Sequence, residues 1–135
     1  MDAIRIEGLT KQYKDVTAVD GLNLSVRQGE LLSLLGVNGA GKTTTIKMLS
    51  CLTQPTAGDA VLDGHSILTD PASVKRVIAV SPQETAVAPA LSVGENLLLM
   101  CGIHGFSKEK SAAKIAELSA LLGLESVIGK KAGKL

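Results

Sequence analysis

Three features of the 135-residue chain predict an α/β fold. Residues 36–43 read Gly-Val-Asn-Gly-Ala-Gly-Lys-Thr, a full match to the pattern G-x-x-x-x-G-K-[ST] between an apolar run and a helix-compatible run. Residues 3–9 alternate as a half-buried strand does, with Ile4 and Ile6 on one face and Arg5 and Glu7 on the other. Residues 31–35, Leu-Leu-Ser-Leu-Leu, are continuously apolar, as befits a strand buried on both faces of a parallel sheet covered by helices.

The elements follow in order. After the first strand, Lys11 to Asp15 reads as a turn, and Val16 to Val26 as a second strand broken near Asp20-Gly21. Arg27-Gln28-Gly29-Glu30 is a turn into the apolar run. The helix from Lys42 is expected to put Ile46, Leu49 and Leu52 inward and to stop before Pro55. Ala60 to Leu62 is a short strand closed by Asp63-Gly64, Pro71 to Arg76 a short helix, and Val77 to Val80 another buried strand. Ser81 to Glu84 is a loop. Val93 to Ile103 forms an apolar helix ended by Gly105, and Ser107 caps a last helix with Ile115, Leu118 and Leu122 at helical spacing.

The glycine-rich octapeptide carries the chemistry. Gly36, Gly39 and Gly41 admit positive φ and let backbone approach a ligand closely. Successive amides then point inward as an anion nest at the positive end of a helix. Lys42 is placed to reach the β- and γ-phosphates, and the Thr43 hydroxyl suits Mg²⁺. Thr43, Thr44 and Thr45 are poor choices for a first helical turn, a conflict expected where side chains serve a site. The strand and helix around the loop favour nucleotide binding over a plain glycine turn.

Composition bounds the rest. The chain is 45% hydrophobic and 20% charged with a formal charge of +1, a globular balance for at most one domain. Lys130, Lys131 and Lys134 are the only basic cluster and Tyr13 and Phe106 the only aromatics, which excludes a basic nucleic-acid footprint or a base-stacking platform. Cys51 and Cys101 are far apart among apolar residues and read as reduced buried thiols suited to the cytosol. No signal peptide is read at the start, and no apolar stretch approaches the ~20 residues of a membrane span.

The order of these pieces resembles the ATP-binding subunit (nucleotide-binding domain) of an ABC transporter, along the whole chain. The resemblance implies a P-loop NTPase with a RecA-like core, an N-terminal antiparallel β patch and the start of a helical subdomain. The core would occupy about residues 1–90 and the helical start about 91–135. Gly8-Leu9-Thr10-Lys11-Gln12-Tyr13 resembles the approach to the family's A-loop, which implies that Tyr13 stacks on adenine, with Ala18 an apolar neighbour. Val80-Ser81-Pro82-Gln83-Glu84 resembles the Q-loop, which implies that Gln83 contacts Mg²⁺ and the attacking water and relays the state of the membrane partner. A side-chain amide suits that role because it accepts from water and faces a metal without adding charge. ATP and Mg²⁺ would be held by Tyr13, Gly36, Asn38, Gly39, Ala40, Gly41, Lys42, Thr43 and Thr44, with Thr43 and Gln83 toward the metal. Lys42 and Gln83 would serve hydrolysis.

Helix 97–101, Leu-Leu-Leu-Met-Cys, would be either a groove for a cytoplasmic helix of the membrane subunit or plain core. The loop and the following Leu52 to Gly58 look like the multidrug, exporter-type branch. Transmembrane permease subunits and a second nucleotide-binding subunit are the implied partners, with the chain on the cytoplasmic face of the cell membrane.

The family continues into a Leu-Ser-Gly-Gly-Gln signature, an acidic strand with a Mg²⁺ aspartate and catalytic glutamate, and a switch histidine. This chain stops at Leu135, where the signature should begin, and so reads as an N-terminal fragment in which hydrolysis is expected to be very weak. His65 and His104 come too early for the switch and read as loop and helix-end residues. Other readings are a P-loop kinase or GTPase using Asp63, a nucleotide-binding module that does not hydrolyse, or a gene product without stable function. Asp63-Gly64-His65 reads instead as a hairpin turn.

Overall fold

Two twelve-residue strands, β1 (Asp2–Tyr13) and β2 (Val16–Arg27), form an antiparallel hairpin in the computed structural model, which describes residues 1–37, 39, 41–84 and 86–135. The hairpin turns only at Lys14 and Asp15, so strand pairing reaches Tyr13, beyond the turn expected from Lys11. β3 (Ala57–Leu62) pairs with the other edge of β1, and the two-residue β4 (His65–Ser66) pairs with β3, giving the order β2-β1-β3-β4 with every pair antiparallel. The expected antiparallel patch is therefore present. Between β3 and β4, Asp63 and Gly64 both take positive φ, 47° and 83°, the geometry that twist-matched two-residue hairpin loops require. His65 thus lies in a short strand rather than a loop.

The expected alternation in β1 holds: Ile6 is buried and Arg5 and Glu7 are exposed. Ile6, Leu9, Val19, Ala60 and Leu62 of the sheet pack with Ile67, with Met48 of α1 (Lys42–Leu49) and with Val74 of α2 (Pro71–Val77). The inward face of α1 differs from expectation. Thr45 and Met48 are buried, whereas Ile46 is 43% and Leu52 73% exposed. The helix ends at Ser50 and Cys51 turns to φ 59°, which takes Leu52 off the helical stripe. Thr45 tolerates burial because its hydroxyl donates to the Gly41 carbonyl at 2.9 Å.

Two predicted buried strands are not formed. Leu31 and Leu35 are 96% and 92% exposed, and residues 31–35 belong to no ladder among the described residues. Residues 78–80 likewise carry no strand assignment, and Val80 is exposed. An apolar run becomes a buried parallel strand only when neighbours pair its backbone on either side, and no described strand lies beside these two.

The chain divides into two compact units, Met1–Val80 and Ser81–Leu135. The second is helical. α3 (Val93–Ile103) and α4 (Lys108–Leu122) pack together, each at its expected place. α3 begins in a capping box: Ser92 Oγ accepts from the Glu95 amide at 3.1 Å, and the Glu95 carboxylate accepts from the Ser92 amide at 2.7 Å. Ser107 caps α4 as predicted, and Gly123 ends it in the left-handed region. Asn96 accepts from the Ala88 amide at 2.8 Å and donates to the Ala88 carbonyl at 3.1 Å, which holds the preceding segment to α3. Residues 128–133 run back along residues 89–94 through four backbone bonds of 2.9–3.0 Å.

Candidate nucleotide site

The site is built where α1 begins. Gly39 and Gly41 have φ of 85° and 88°, and Gly41 is the N-cap of α1, so the loop turns sharply into the helix axis. Only glycine takes such angles without strain. A Cβ on Gly41 would also collide with the Ala18 carbonyl oxygen and sit 3.1 Å from Val19 Cγ2. No described side chain caps α1 and its first turn holds no acid, so among the described residues the amides there and the positive end of the helix dipole are open to an anion. Each of the other three described α-helices is capped by a side chain, Asp70, Ser92 or Ser107.

Lys42, the first residue of α1, folds back along the loop. Its ammonium donates to the Gly36 carbonyl and, at 3.1 Å, to the Val37 carbonyl. The positive charge therefore stands beside the open helix end, where it complements a second layer of negative charge. Thr43 is exposed with its hydroxyl available, and Thr44 is half-buried. Beside the loop lies a cleft of about 260 Å³ lined by Ala18, Leu34, Leu35, Gly41, Lys42 and Thr45, polar at the helix start and apolar opposite. These features fit a polyphosphate: open amides, a lysine ammonium beside them, and glycine at 41 where a Cβ has no room.

Gly36, Gly39, Gly41, Lys42, Thr43 and Thr44 thus come together, while Asn38 and Ala40 lie outside the described residues. Tyr13 is brought to the same end of the first unit by strand pairing. It sits opposite Val16, two residues from Ala18, a separation of roughly 7 Å along the strand. Its ring is 47% exposed, with the Lys11 ammonium 5.1 Å from the ring centroid. Gln83 lies in an exposed bend in the second unit.

Asp63, the acid considered for a kinase or GTPase, is at the far end of the sheet. Its amide donates to the Ala3 carbonyl at 2.8 Å, and Leu62 pairs with Ile4. Lys11, the partner of Val19, lies seven positions along β1 from Ile4, or roughly 20 Å. His65 pairs with Asp70 at 3.2 Å and His104 is the C-cap of α3. Cys101 is buried and free, and burial raises the half-buried Cys51 thiol against a smaller lowering by Lys75. The sequence pattern marks Thr45 only as one of three threonines at odds with a helix start and gives it no role of its own; its hydroxyl bond to Gly41 supports the loop from inside the core. Three successive threonines at the helix start were the available signal.

The fold and this loop define a P-loop nucleotide-binding domain. The family model described as ABC transporter matches residues 19–135, and the chain belongs to the ABC transporter family. It is 42% identical over 118 residues to the doxorubicin resistance ATP-binding protein DrrA of Mycobacterium tuberculosis, covering 86% of this chain and 36% of that protein. It is 38% identical over 132 residues to the Nod factor export ATP-binding protein I of Burkholderia orbicola, covering 98% of this chain and 43% of the relative. The chain therefore spans about two fifths or less of the length of these relatives. Among solved structures, it is similar to a dimeric ATP-binding cassette in a post-hydrolysis state bound to ADP and Pi. The TM-score is 0.82 at 25% identity, over 98% of this chain and 62% of the other. A solved ATP-binding subunit of an ABC transporter gives a TM-score of 0.81 at 26% identity, over 94% and 53% of the two chains.

Proposed function

We propose that this chain supplies the phosphate-loop side of the ATP site in an ABC transporter ATP-binding subunit. The observation that carries the reading is the uncapped start of α1, with Gly41 in the left-handed region and the Lys42 ammonium beside it. The loop from Gly36 to Thr44, Asn38 and Ala40 included, holds the phosphates. Tyr13 stacks on the adenine, since an exposed ring one strand from Ala18 offers a face to a planar base. Thr43 and Gln83 hold Mg²⁺, which neutralises charge on the phosphates. In the complete subunit, Lys42 stabilises charge on the transferred phosphoryl group and Gln83 orients the attacking water.

Hydrolysis in the complete subunit powers outward transport. Relatives named for drug resistance and for export support that direction, and the dimeric solved relative supports pairing with a second nucleotide-binding subunit. Leu98, Leu99, Met100 and Ile103 of α3 are 48–67% exposed, which favours a surface for the permease subunits over plain core. No described helix is long and apolar enough to cross a membrane, in keeping with a subunit that works on the cytoplasmic face.

The test is Lys42→Ala with ATP affinity measured by calorimetry. Loss of a charge-assisted hydrogen bond at the phosphates weakens binding about 10-fold or more. Unchanged affinity overturns the proposal.

A further inference from the structure

The β1–β2 hairpin does more than present Tyr13. Along it, Lys11 pairs with Val19 and Gln12 with Thr17, so Ala18 is an extra residue with no partner of its own, a β-bulge. A bulge bends its strand and turns a peptide group out of the ladder. Here the Ala18 carbonyl oxygen lies where a Cβ of Gly41 would be, and Gly41 instead presents a small Cα hydrogen to it. Gly39, the loop's other described positive-φ glycine, has nothing within 4 Å of a Cβ position. The next residue, Val19, is buried in the core with Met48 of α1.

The same hairpin also holds the segment between α1 and β3. The Lys11 ammonium donates to the Gln54 carbonyl at 2.7 Å, the Gln12 amide donates to Thr56 Oγ1 at 3.0 Å, and the Thr56 amide donates to the Thr10 carbonyl at 2.8 Å. The start of the phosphate helix and the segment that follows it are thus both held by the strand pair that carries Tyr13 at its tip.

We infer that the Ala18 bulge is a positioning element for phosphate binding: its carbonyl, seated beneath Gly41, fixes the turn that aims the loop amides. This rests on the ATP-binding reading above. It adds that the base-side hairpin sets the phosphate side even for a ligand that has no base.

Inorganic tripolyphosphate with Mg²⁺ is the probe, compared with Mg-ATP by calorimetry on the full chain. Tyr13→Ala lowers ATP affinity and leaves tripolyphosphate affinity unchanged, because the ring touches only the base. Deleting Ala18 removes the bulge and lowers affinity for both ligands by about 10-fold. Ala18→Gly keeps the chain length, loosens the bulge, and lowers tripolyphosphate affinity about 2–5-fold at a temperature where the variant is fully folded, its melting temperature falling by only the few degrees that glycine in a strand costs. If the deletion variant fails to fold, Ala18→Gly decides the matter alone. Wild-type tripolyphosphate affinity in folded Ala18 variants overturns the inference while leaving ATP binding intact. An affinity loss that only tracks a falling melting temperature also overturns it, since that is a structural role. Failure of the wild-type chain to bind either ligand overturns the ATP-binding reading and this inference with it.

Discussion

At the start of α3 the Ser92 hydroxyl and the Glu95 carboxylate satisfy each other's amides, whereas at the start of α1 a left-handed glycine leads directly into open N–H groups. Both ends face the same deficit, since the first amides of any helix lack partners within it. α3 closes the deficit with protein groups, the Ser92 hydroxyl for the Glu95 amide and the Lys130 and Ile128 carbonyls for those of Val93 and Gly94, and gains local stability. α1 leaves it open, adds no acid, and sets a lysine beside it. Side-chain capping and anion binding use the same donors, so a helix start serves one or the other. That contrast separates a helix whose start is closed by protein groups from one whose start is left open within a single chain.

The largest expected effect breaks the open end. Gly41→Ala forces a Cβ into the Ala18 carbonyl and a left-handed φ on an L-residue, and ATP affinity should fall about 100-fold in calorimetry. Retained binding would mean that this turn is not the phosphate cradle. Next, Ser92→Ala removes the capping hydroxyl of α3 and should cost about 1 kcal/mol of local stability, read as faster amide exchange in α3. ATP affinity should not change, and a parallel loss would erase the distinction between the two ends.

Acid sharpens the comparison further. The Ser92 amide, and then the Ser92 hydroxyl, hold the Glu95 carboxyl below its ordinary value of 4.5. The Ser73 hydroxyl and amide, with a smaller part from His65, hold the Asp70 carboxyl below 3.8. Both folded values lie below the unfolded ones. Their stabilisation is therefore complete above the ordinary values and is lost as pH falls through the folded ones. Amide exchange at the starts of α2 and α3 should rise in that acidic window, and Glu95→Gln should flatten the response of α3. The start of α1 has no such carboxylate and should show no matching step. The smallest expected effect is that of Asp63→Asn, which should change Mg-ATP affinity by less than about two-fold, as for a surface turn. A larger loss would revive the kinase-like reading.

Much of this was legible in the residue order. The octapeptide from Gly36 to Thr43 named both the loop and the helix that follows it, because few backbones need three glycines before a lysine. Ser107 before an amphipathic run marked the start of α4 for the same reason: caps are short-range chemistry. Asp63-Gly64 announced its hairpin. The apolar run 31–35 was misleading because hydrophobicity says what a segment would bury but not whether a partner strand lies beside it. Leu52 failed as a core position because the chain leaves the helix before it, at Ser50 and Cys51, and Ile46 failed because the buried stripe of α1 runs through Thr45 and Met48 instead. The roles assigned to Tyr13 and Gln83 came from family resemblance, since a lone aromatic and a lone glutamine carry no local signature.

Sequence alone determined the local devices: which helix starts are capped, which one is left open, and where glycine permits a left-handed turn. These depend on neighbours within a few positions, so residue order contains them. Tertiary structure decided which groups come to rest against that open turn. The extra residue at Ala18 and the nearness of Tyr13 to it arise from register between β1 and β2, and the seat of Ala18 against Gly41 and the burial of Thr45 arise from packing of α1 on that strand pair. Register is set by the summed packing of a whole sheet face, and no single segment encodes it.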